Sequence, residues 1–281
     1  RWTFAPMVDI ARDPRWGRIA EGSGEDPHLG SAMAAARVRG FQGKDLADPE
    51  SIVACAKHYV AYGAAEGGRD YNTVDISEKT LREIYLPPFQ AAVGADAATL
   101  MSAFNSLSGV PASANRFTLT EVLRNEWGFG GFVVSDWNSI GELLNHGVAA
   151  DASEAARLAL DAGVDMDMQG GIYASSLAAL VKGGKISEVA VSEAARRILR
   201  VKFRLGLFDR PYTDPAREPS VILSKENVDA AREAAGKCMV LLKNAGNLLP
   251  LRKDIRSIAV IGPLADNKNA PLGPWAANGR A

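Results

Sequence analysis

Short unbroken apolar runs alternate along the chain with longer segments whose apolar residues recur at helical spacing. The clearest run lies in residues 131–137, GFVVSDW, where a β-branched core is followed by a polar pair and an aromatic residue. A continuous run of this length predicts a strand that is buried on both faces. Asp136 follows the strand directly, as either a helix cap or a catalytic carboxylate, and this segment alone favours the cap.

The same pattern predicts four more strands and a set of helices between them. The strands are expected at residues 4–10, 51–59, 98–105 and 164–168. The helices are expected at residues 29–42, 77–94, 118–127, 139–145, 153–162, 173–182 and 187–205. Strands that alternate with helices are typical of parallel strands joined by helical crossovers.

Every predicted strand ends in polar residues: Asp9, Lys57 and His58, Asn105, Asp136, and Asp165 with Asp167. One capped helix would be routine, but the carboxyl ends of parallel strands meet at the same edge of a sheet, where α/β barrels carry out their chemistry. This repetition favours a catalytic role for Asp136. A complete barrel has eight strands, so about three strand–helix units are expected upstream of Arg1.

The pattern divides the chain into three parts. Residues 1–205 are predicted to form part of a (β/α)8, TIM-barrel-like domain. Residues 206–225 contain three prolines without periodicity, which indicates a linker. Residues 226–281 predict the start of a second α/β domain, with a helix over 226–244 and a buried strand over 255–262. The chain opens without Met inside a strand-like segment, so both ends are interpreted as truncated.

Composition excludes several classes of function. Hydrophobic residues make up 47% of the 281 residues, and the net charge is −1 with no basic stripe, which argues against a nucleic-acid partner. No apolar run approaches the ~20 residues of a membrane helix. Two distant cysteines and three scattered histidines match neither a disulfide framework nor a metal-ligand pattern. We therefore expect no metal and no cofactor.

Six segments, taken in order, resemble the family 3 glycoside hydrolases, and in particular the bacterial, often periplasmic, β-glucosidase branch. They are VDIARDPRWGR at 8–18, EDP at 25–27, AKHY at 56–59, GRDYNT at 68–73, VSDW at 134–137 and VLLKN at 240–244. The resemblance implies a (β/α)8-type barrel followed by an α/β sandwich domain. It also implies a periplasmic or secreted enzyme that acts on β-glucosides or short oligosaccharides, with a homodimer as a further expectation.

The resemblance assigns roles to individual residues. Asp136 would be the nucleophile of a retaining hydrolase. The residues expected to bind the sugar are Arg18, Lys57 and His58 at the −1 subsite, Trp137 at the +1 side, and Asp70 in a nearby loop. Retaining hydrolysis needs a second carboxyl group about 5–5.5 Å from the nucleophile. In this branch that acid/base Glu is expected outside the chain, so the 281 residues alone are expected to be poorly active.

Two departures bear on the branch. Phe104 stands where relatives often carry Tyr, and the loop 57–63, KHYVAYG, lacks the second His of the N-acetylglucosaminidase branch. Three alternatives stay open: a β-xylosidase or broader exo-glucanase, an aldolase or lyase that forms a Schiff base at Lys57, and an inactive scaffold. Asp165 and Asp167 are interpreted as structural, and Glu142 as a solvated helix residue.

Overall fold

The computed structural model describes residues 1–273 of the chain. These residues form two compact units, Arg1–Thr213 and a second unit that begins at Asp214. The division falls inside the predicted linker. The predicted boundaries at 205 and 226 stay a prediction, and residues 274–281 lie outside the described residues.

A parallel sheet organises the first unit. Its strands β1 (Cys55–Tyr59), β2 (Thr99–Ser102) and β5 (Phe132–Ser135) lie in the order β1-β2-β5. On either side, isolated parallel bridges add a further segment: Trp2 beside Val53 and Met7 beside Lys57 on one side, and Met166 beside Val134 on the other. The five predicted strand segments are therefore neighbours in chain order, which confirms the predicted parallel α/β fold.

The two outer strands are shorter than predicted. Pro6 has no N–H to donate to a ladder, so residues 4–10 bond to β1 only at intervals. On the other side, the N–H groups of Asp165 and Met166 both donate to the Val133 carbonyl, and Met168 donates to the Ser135 hydroxyl. Irregular pairing of this kind leaves a bridge where the sequence predicts a full strand.

Helices connect the strands along the outside of the sheet. The α-helices of the first unit are α1 (Pro27–Gln42), α2 (Glu78–Thr80), α3 (Pro87–Gly94), α4 (Ala152–Ala162), α5 (Ile172–Lys182) and α6 (Glu188–Arg204). Side chains of Asp26, Asp151 and Ser187 cap α1, α4 and α6 by accepting from backbone N–H groups of the first turn. A small antiparallel hairpin, β3 (Ser106–Leu107) with β4 (Val110–Pro111), lies in the predicted turn region after β2.

Three helix predictions need correction. The helix expected over 77–94 is divided into α2, a π-helical turn Leu81–Tyr85 and α3, which begins at Pro87. The segment Phe117–Glu126 is a π-type helix. Near its start, the side-chain oxygen of Asn115 accepts from the Thr118 N–H at 3.1 Å. Over 139–145 the structure has only a 3₁₀ turn, Gly141–Leu143.

Asp165 ties the last strand segment to two helices. Its buried carboxylate accepts from Val133 N–H at 2.8 Å, from Arg124 of the π-type helix at 2.6 Å and from Arg197 of α6 at 2.8 Å. Burial raises the pKa of Asp165, and the two guanidinium groups oppose that rise. Asp165 is therefore structural, as the sequence analysis favoured.

The second unit departs from its prediction. Its α-helices are α7 (Glu218–Val221) and α8 (Lys225–Lys237), so the helix predicted over 226–244 ends seven residues early. The strand predicted over 255–262 is wrong: this segment has no regular structure, and Ile261 is 93% exposed. An apolar strand needs a neighbour for its backbone and side chains, and no described residue pairs with it.

No described helix is both long and apolar enough to cross a membrane.

Replacing Asp165 by Ala is expected to lower the free energy of unfolding by about 3–5 kcal/mol, because Arg124 would be left buried without its counter-charge. Urea unfolding followed by circular dichroism measures this loss. Glu193→Ala is the control, since Glu193 pairs with Arg196 on the exposed face of α6 and should change stability by less than about 0.5 kcal/mol. Equal losses in the two variants would contradict the structural role of Asp165.

Candidate active site

The carboxyl edge of the parallel sheet brings the predicted catalytic and sugar-binding residues together. Lys57 and His58 belong to β1, and Asp136 follows the last residue of β5. Because β2 pairs in parallel with both strands, with one register shift between Ala56 and Tyr59, these ends lie at one edge. His58, Lys57 and Arg18 all act electrostatically to lower the pKa of Asp136, and His58 Nε2 lies 3.6 Å from its carboxylate.

Asp136 has one bonded and one free carboxylate oxygen. Its Oδ1 accepts from the backbone N–H of Trp137 at 2.7 Å, while its buried Oδ2 has no hydrogen-bond partner. The residue is only 8% exposed. Burial raises the pKa of Asp136, and the charge of His58 and the Trp137 N–H oppose that rise. The turn Gly141–Leu143 receives no cap from this side chain, so the helix-cap interpretation does not hold.

His58 lies between two carboxylates. Its Nε2 is 3.6 Å from Asp136 Oδ2, and its Nδ1 is 2.9 Å from Asp9 Oδ2. Asp9 also accepts from the backbone N–H of His58 at 2.8 Å. The sequence pattern predicts Asp9 only as a polar strand end and gives no other sign of this role. Its position at the end of the first strand segment was the one available signal.

Arg18 reaches the site from a short 3₁₀ helix, Gly17–Glu21, which precedes α1. Its guanidinium carbon is 5.6 Å from the centroid of the Tyr62 ring, and the Tyr62 ring in turn packs edge-on against His58 at 5.2 Å. Two hydrogen bonds of 2.6 and 3.0 Å join Arg18 to Glu21. This pairing lowers the pKa of Glu21 and fixes the direction of the guanidinium group.

Asp70 holds the loop that carries Arg18. Its Oδ1 accepts from the indole N–H of the buried Trp16 at 2.8 Å. Burial raises the pKa of Tyr62, and the Asp70 carboxylate adds to that rise, while the buried Tyr62 hydroxyl has no hydrogen-bond partner. The structure therefore gives Asp70 a supporting contact to Trp16, and a direct contact of Asp70 with sugar stays a prediction.

Aromatic side chains border the opening of the site. Trp137 is 52% exposed directly after the candidate nucleophile and presents a flat apolar ring there, while its contact with sugar stays a prediction. Tyr71 is equally exposed, and its ring centroid is 4.5 Å from that of the buried Phe104. Phe104 thus supports Tyr71 by ring packing at the position where the sequence analysis expected a lost hydroxyl.

Glu142 is not a solvated helix residue as predicted. It lies half-buried in the turn after Trp137, where burial raises the pKa of Glu142 and the negative charge of Asp136 raises it further. A one-dimensional pattern missed this proximity because the turn folds back toward the strand that it follows. Nearby, His146 Nε2 is 3.1 Å from the Phe104 carbonyl oxygen, which gives this histidine a packing role.

Three buried hydroxyl groups brace the strand ends behind the site. Ser113 Oγ is 2.8 Å from both Ser102 Oγ at the end of β2 and Ser139 Oγ after Asp136. Serine carries no distinctive sequence signal, so this chain of hydrogen bonds was not predicted.

Within the described residues, no group of three or more His, Cys, Asp or Glu side chains is arranged to hold a metal ion.

Two protein-family models match this chain. Residues 1–201 match the glycosyl hydrolase family 3 N terminal domain, and residues 239–281 match the glycosyl hydrolase family 3 C-terminal domain. The chain belongs to glycosyl hydrolase family 3. This confirms the resemblance that the sequence motifs predicted, including the barrel-like fold of the first domain.

Relatives from the family 3 hydrolases extend beyond this chain. The periplasmic beta-glucosidase of Salmonella typhimurium is 46% identical over 99% of the chain, which spans 37% of that relative. A beta-xylosidase of Formosa agariphila is 38% identical over 97% of the chain, which spans 39% of it. The crystal structure of a Listeria innocua beta-glucosidase with glucose superposes with a TM-score of 0.87 at 44% identity, covering 89% of this chain and 35% of that one.

Asp136→Asn is expected to stabilise the fold at pH 7 by about 1 kcal/mol, because it removes a charge that burial disfavours. The folded-state pKa of Asp136 is raised, so the gain is present above that pKa and is lost as the pH falls towards the ordinary value of 3.8. Urea unfolding at pH 7 and pH 4 measures both points. Glu83→Gln is the control, because Glu83 is an exposed carboxylate in the π-helical turn Leu81–Tyr85. A gain in Asp136→Asn that does not depend on pH would contradict the argument.

Proposed function

We propose that this chain forms the nucleophile-bearing part of a retaining, exo-acting β-glucosidase that hydrolyses terminal non-reducing β-D-glucosyl residues. The observation that carries the proposal is the free Oδ2 of Asp136, a buried carboxylate oxygen faced by His58 and influenced by the charges of Lys57 and Arg18. A nucleophile needs an oxygen that no hydrogen bond occupies, and nearby cations keep it ionised.

The proposed reaction is a double displacement. Asp136 Oδ2 attacks the anomeric carbon and forms a glycosyl ester while the bond to the leaving-group oxygen breaks. That oxygen takes a proton from a Glu that the family resemblance places outside this chain. Water then attacks the anomeric carbon, the same Glu accepts a proton from it, and the carboxylate of Asp136 is regenerated.

Each surrounding side chain has a matching task in this proposal. Arg18 and Lys57 supply charged hydrogen-bond donors for the hydroxyl groups of the sugar, and His58 supplies a ring nitrogen. Hydrogen bonds to these hydroxyl groups strengthen in the oxocarbenium-like transition state. The exposed Trp137 gives the +1 sugar an apolar face. The periplasmic relative from Salmonella supports a periplasmic or secreted enzyme. A homodimer stays a prediction.

A 2-deoxy-2-fluoro β-glucoside with a good leaving group is expected to label Asp136. Such a reagent needs little acid help, so its reaction reports on the nucleophile itself. Intact mass after incubation and mapping of the labelled peptide measure the outcome in the protein that carries these residues.

Two variants serve as matched carboxylate controls for this experiment. Asp136→Asn should abolish labelling, whereas Glu142→Gln should retain it, because Glu142 lies beside the nucleophile without being the nucleophile. An adduct on another residue would contradict the assignment of Asp136. The absence of any adduct, together with borohydride trapping of an imine at Lys57, would support the lyase alternative.

A β-xylosidase is the second candidate, because a Formosa relative carries that name. The two activities differ by one hydroxymethyl group on the sugar. A site built to bond that hydroxyl group discriminates against the sugar that lacks it, so we expect kcat/KM for an aryl β-glucoside to exceed that for the matching β-xyloside roughly 10-fold or more. Steady-state kinetics with both substrates measures the ratio, and a reversed ratio would favour the xylosidase.

A further inference from the structure

Asp9 and His58 form a buried pair whose geometry is more specific than a structural contact requires. A single oxygen, Asp9 Oδ2, accepts both from the backbone N–H of His58 at 2.8 Å and from the ring nitrogen Nδ1 at 2.9 Å. Both side chains are only 1% exposed. The two bonds fix the backbone and the ring of His58 to the same point, so the ring has no freedom to turn.

This contact determines which ring nitrogen carries the hydrogen. An ionised carboxylate only accepts hydrogen bonds, so Nδ1 of His58 must be the donor to Asp9. The opposite nitrogen, Nε2, then faces Asp136 Oδ2 at 3.6 Å. In the neutral ring Nε2 is an acceptor, and in the imidazolium form it becomes a donor towards the nucleophile.

We propose that Asp9 is a positioning residue, which acts through His58 to hold the Nδ1–H form of the imidazole with Nε2 directed at Asp136. The inference rests on the proposed function, in which Asp136 is the nucleophile. The Tyr62 ring packs edge-on against the His58 ring, with 5.2 Å between the ring centroids. Asp9 and Tyr62 thus contact two sides of the imidazole and leave Nε2 as the ring nitrogen that faces Asp136.

The partnerless Oδ1 of Asp9 makes Asp9→Asn an informative substitution. In the wild type this buried oxygen has no hydrogen-bond partner. An amide of the same shape keeps one acceptor, but it places an NH₂ group either in this partnerless position or against the N–H groups of His58. Either placement weakens the hold on the imidazole while the volume of the side chain is unchanged.

A double-mutant cycle tests whether Asp9 acts through His58. The readout is the rate constant for labelling of Asp136 by the 2-deoxy-2-fluoro β-glucoside. Asp9→Asn is expected to slow labelling roughly 10- to 100-fold, as loss of a carboxylate that orients a functional histidine typically does. In the His58→Ala background, Asp9→Asn should have no further effect, because the group through which it acts is already absent.

The tautomer of His58 gives a second readout that a purely structural role would not move. The chain has three histidines, so ¹⁵N-histidine spectra can be assigned with single His variants. The wild type should carry hydrogen on Nδ1 of His58, and Asp9→Asn should reduce that population. Glu193→Gln is the control: it alters an exposed carboxylate, which pairs with Arg196 on α6, and should leave the His58 signals unchanged.

The outcomes separate the inference from the proposed function. Additive effects of Asp9→Asn and His58→Ala on labelling would overturn the inference alone, as would a wild-type His58 with its hydrogen on Nε2 only. The spectrum of the wild type decides this point even when the variant folds poorly. A wild-type enzyme that is not labelled at Asp136 would overturn the proposed function, and the inference with it.

Discussion

The negative charge of Asp136, held where water is largely excluded, is the constraint on which the rest of the site depends. Burial alone would favour the neutral acid, which is a poor nucleophile. His58, Lys57 and Arg18 offset that cost by their charges, and the Trp137 N–H offsets it by a hydrogen bond. The fold therefore has to bring Arg18 and the adjacent pair Lys57 and His58, from two separate parts of the chain, to one strand end.

Three buried aspartates in this unit show how partners decide the role of one residue type. Asp165 has both oxygens bonded, by two arginines and a backbone N–H, and so acts as a structural tie. Asp9 uses one oxygen to fix His58. Asp136 alone combines a bonded oxygen with a free one that faces a histidine, which is the arrangement that chemistry at a carboxylate needs.

Supports of the site lie one layer behind the residues that would touch a sugar. Glu21 directs Arg18, Asp70 anchors Trp16, and Phe104 packs under Tyr71. The hydroxyl groups of Ser102, Ser113 and Ser139 join the ends of two strands. Such supporting contacts hold the functional groups within a narrow range of positions. Removing one of them therefore changes the geometry of the site, although the supporting residue does not touch the substrate.

The sequence by itself determined the parallel α/β fold, the family, and the strand ends at which Lys57, His58 and Asp136 occur. These follow from patterns a few residues long: apolar runs, the polar residues after them, and family motifs. The same local reading failed at 255–262, where an apolar run has the composition of a strand but no described neighbour to pair with.

Only the tertiary structure decided which of the polar strand ends act together. Asp9 and His58 are 49 residues apart, and no spacing rule joins them, yet parallel pairing of their strands places them 2.9 Å from each other. The sequence pattern predicts Glu142 as an ordinary helix carboxylate, but in the structure its turn folds back beside Asp136. Burial, and with it the pKa of a carboxylate, is set by what surrounds a residue in space, which a local sequence pattern does not contain.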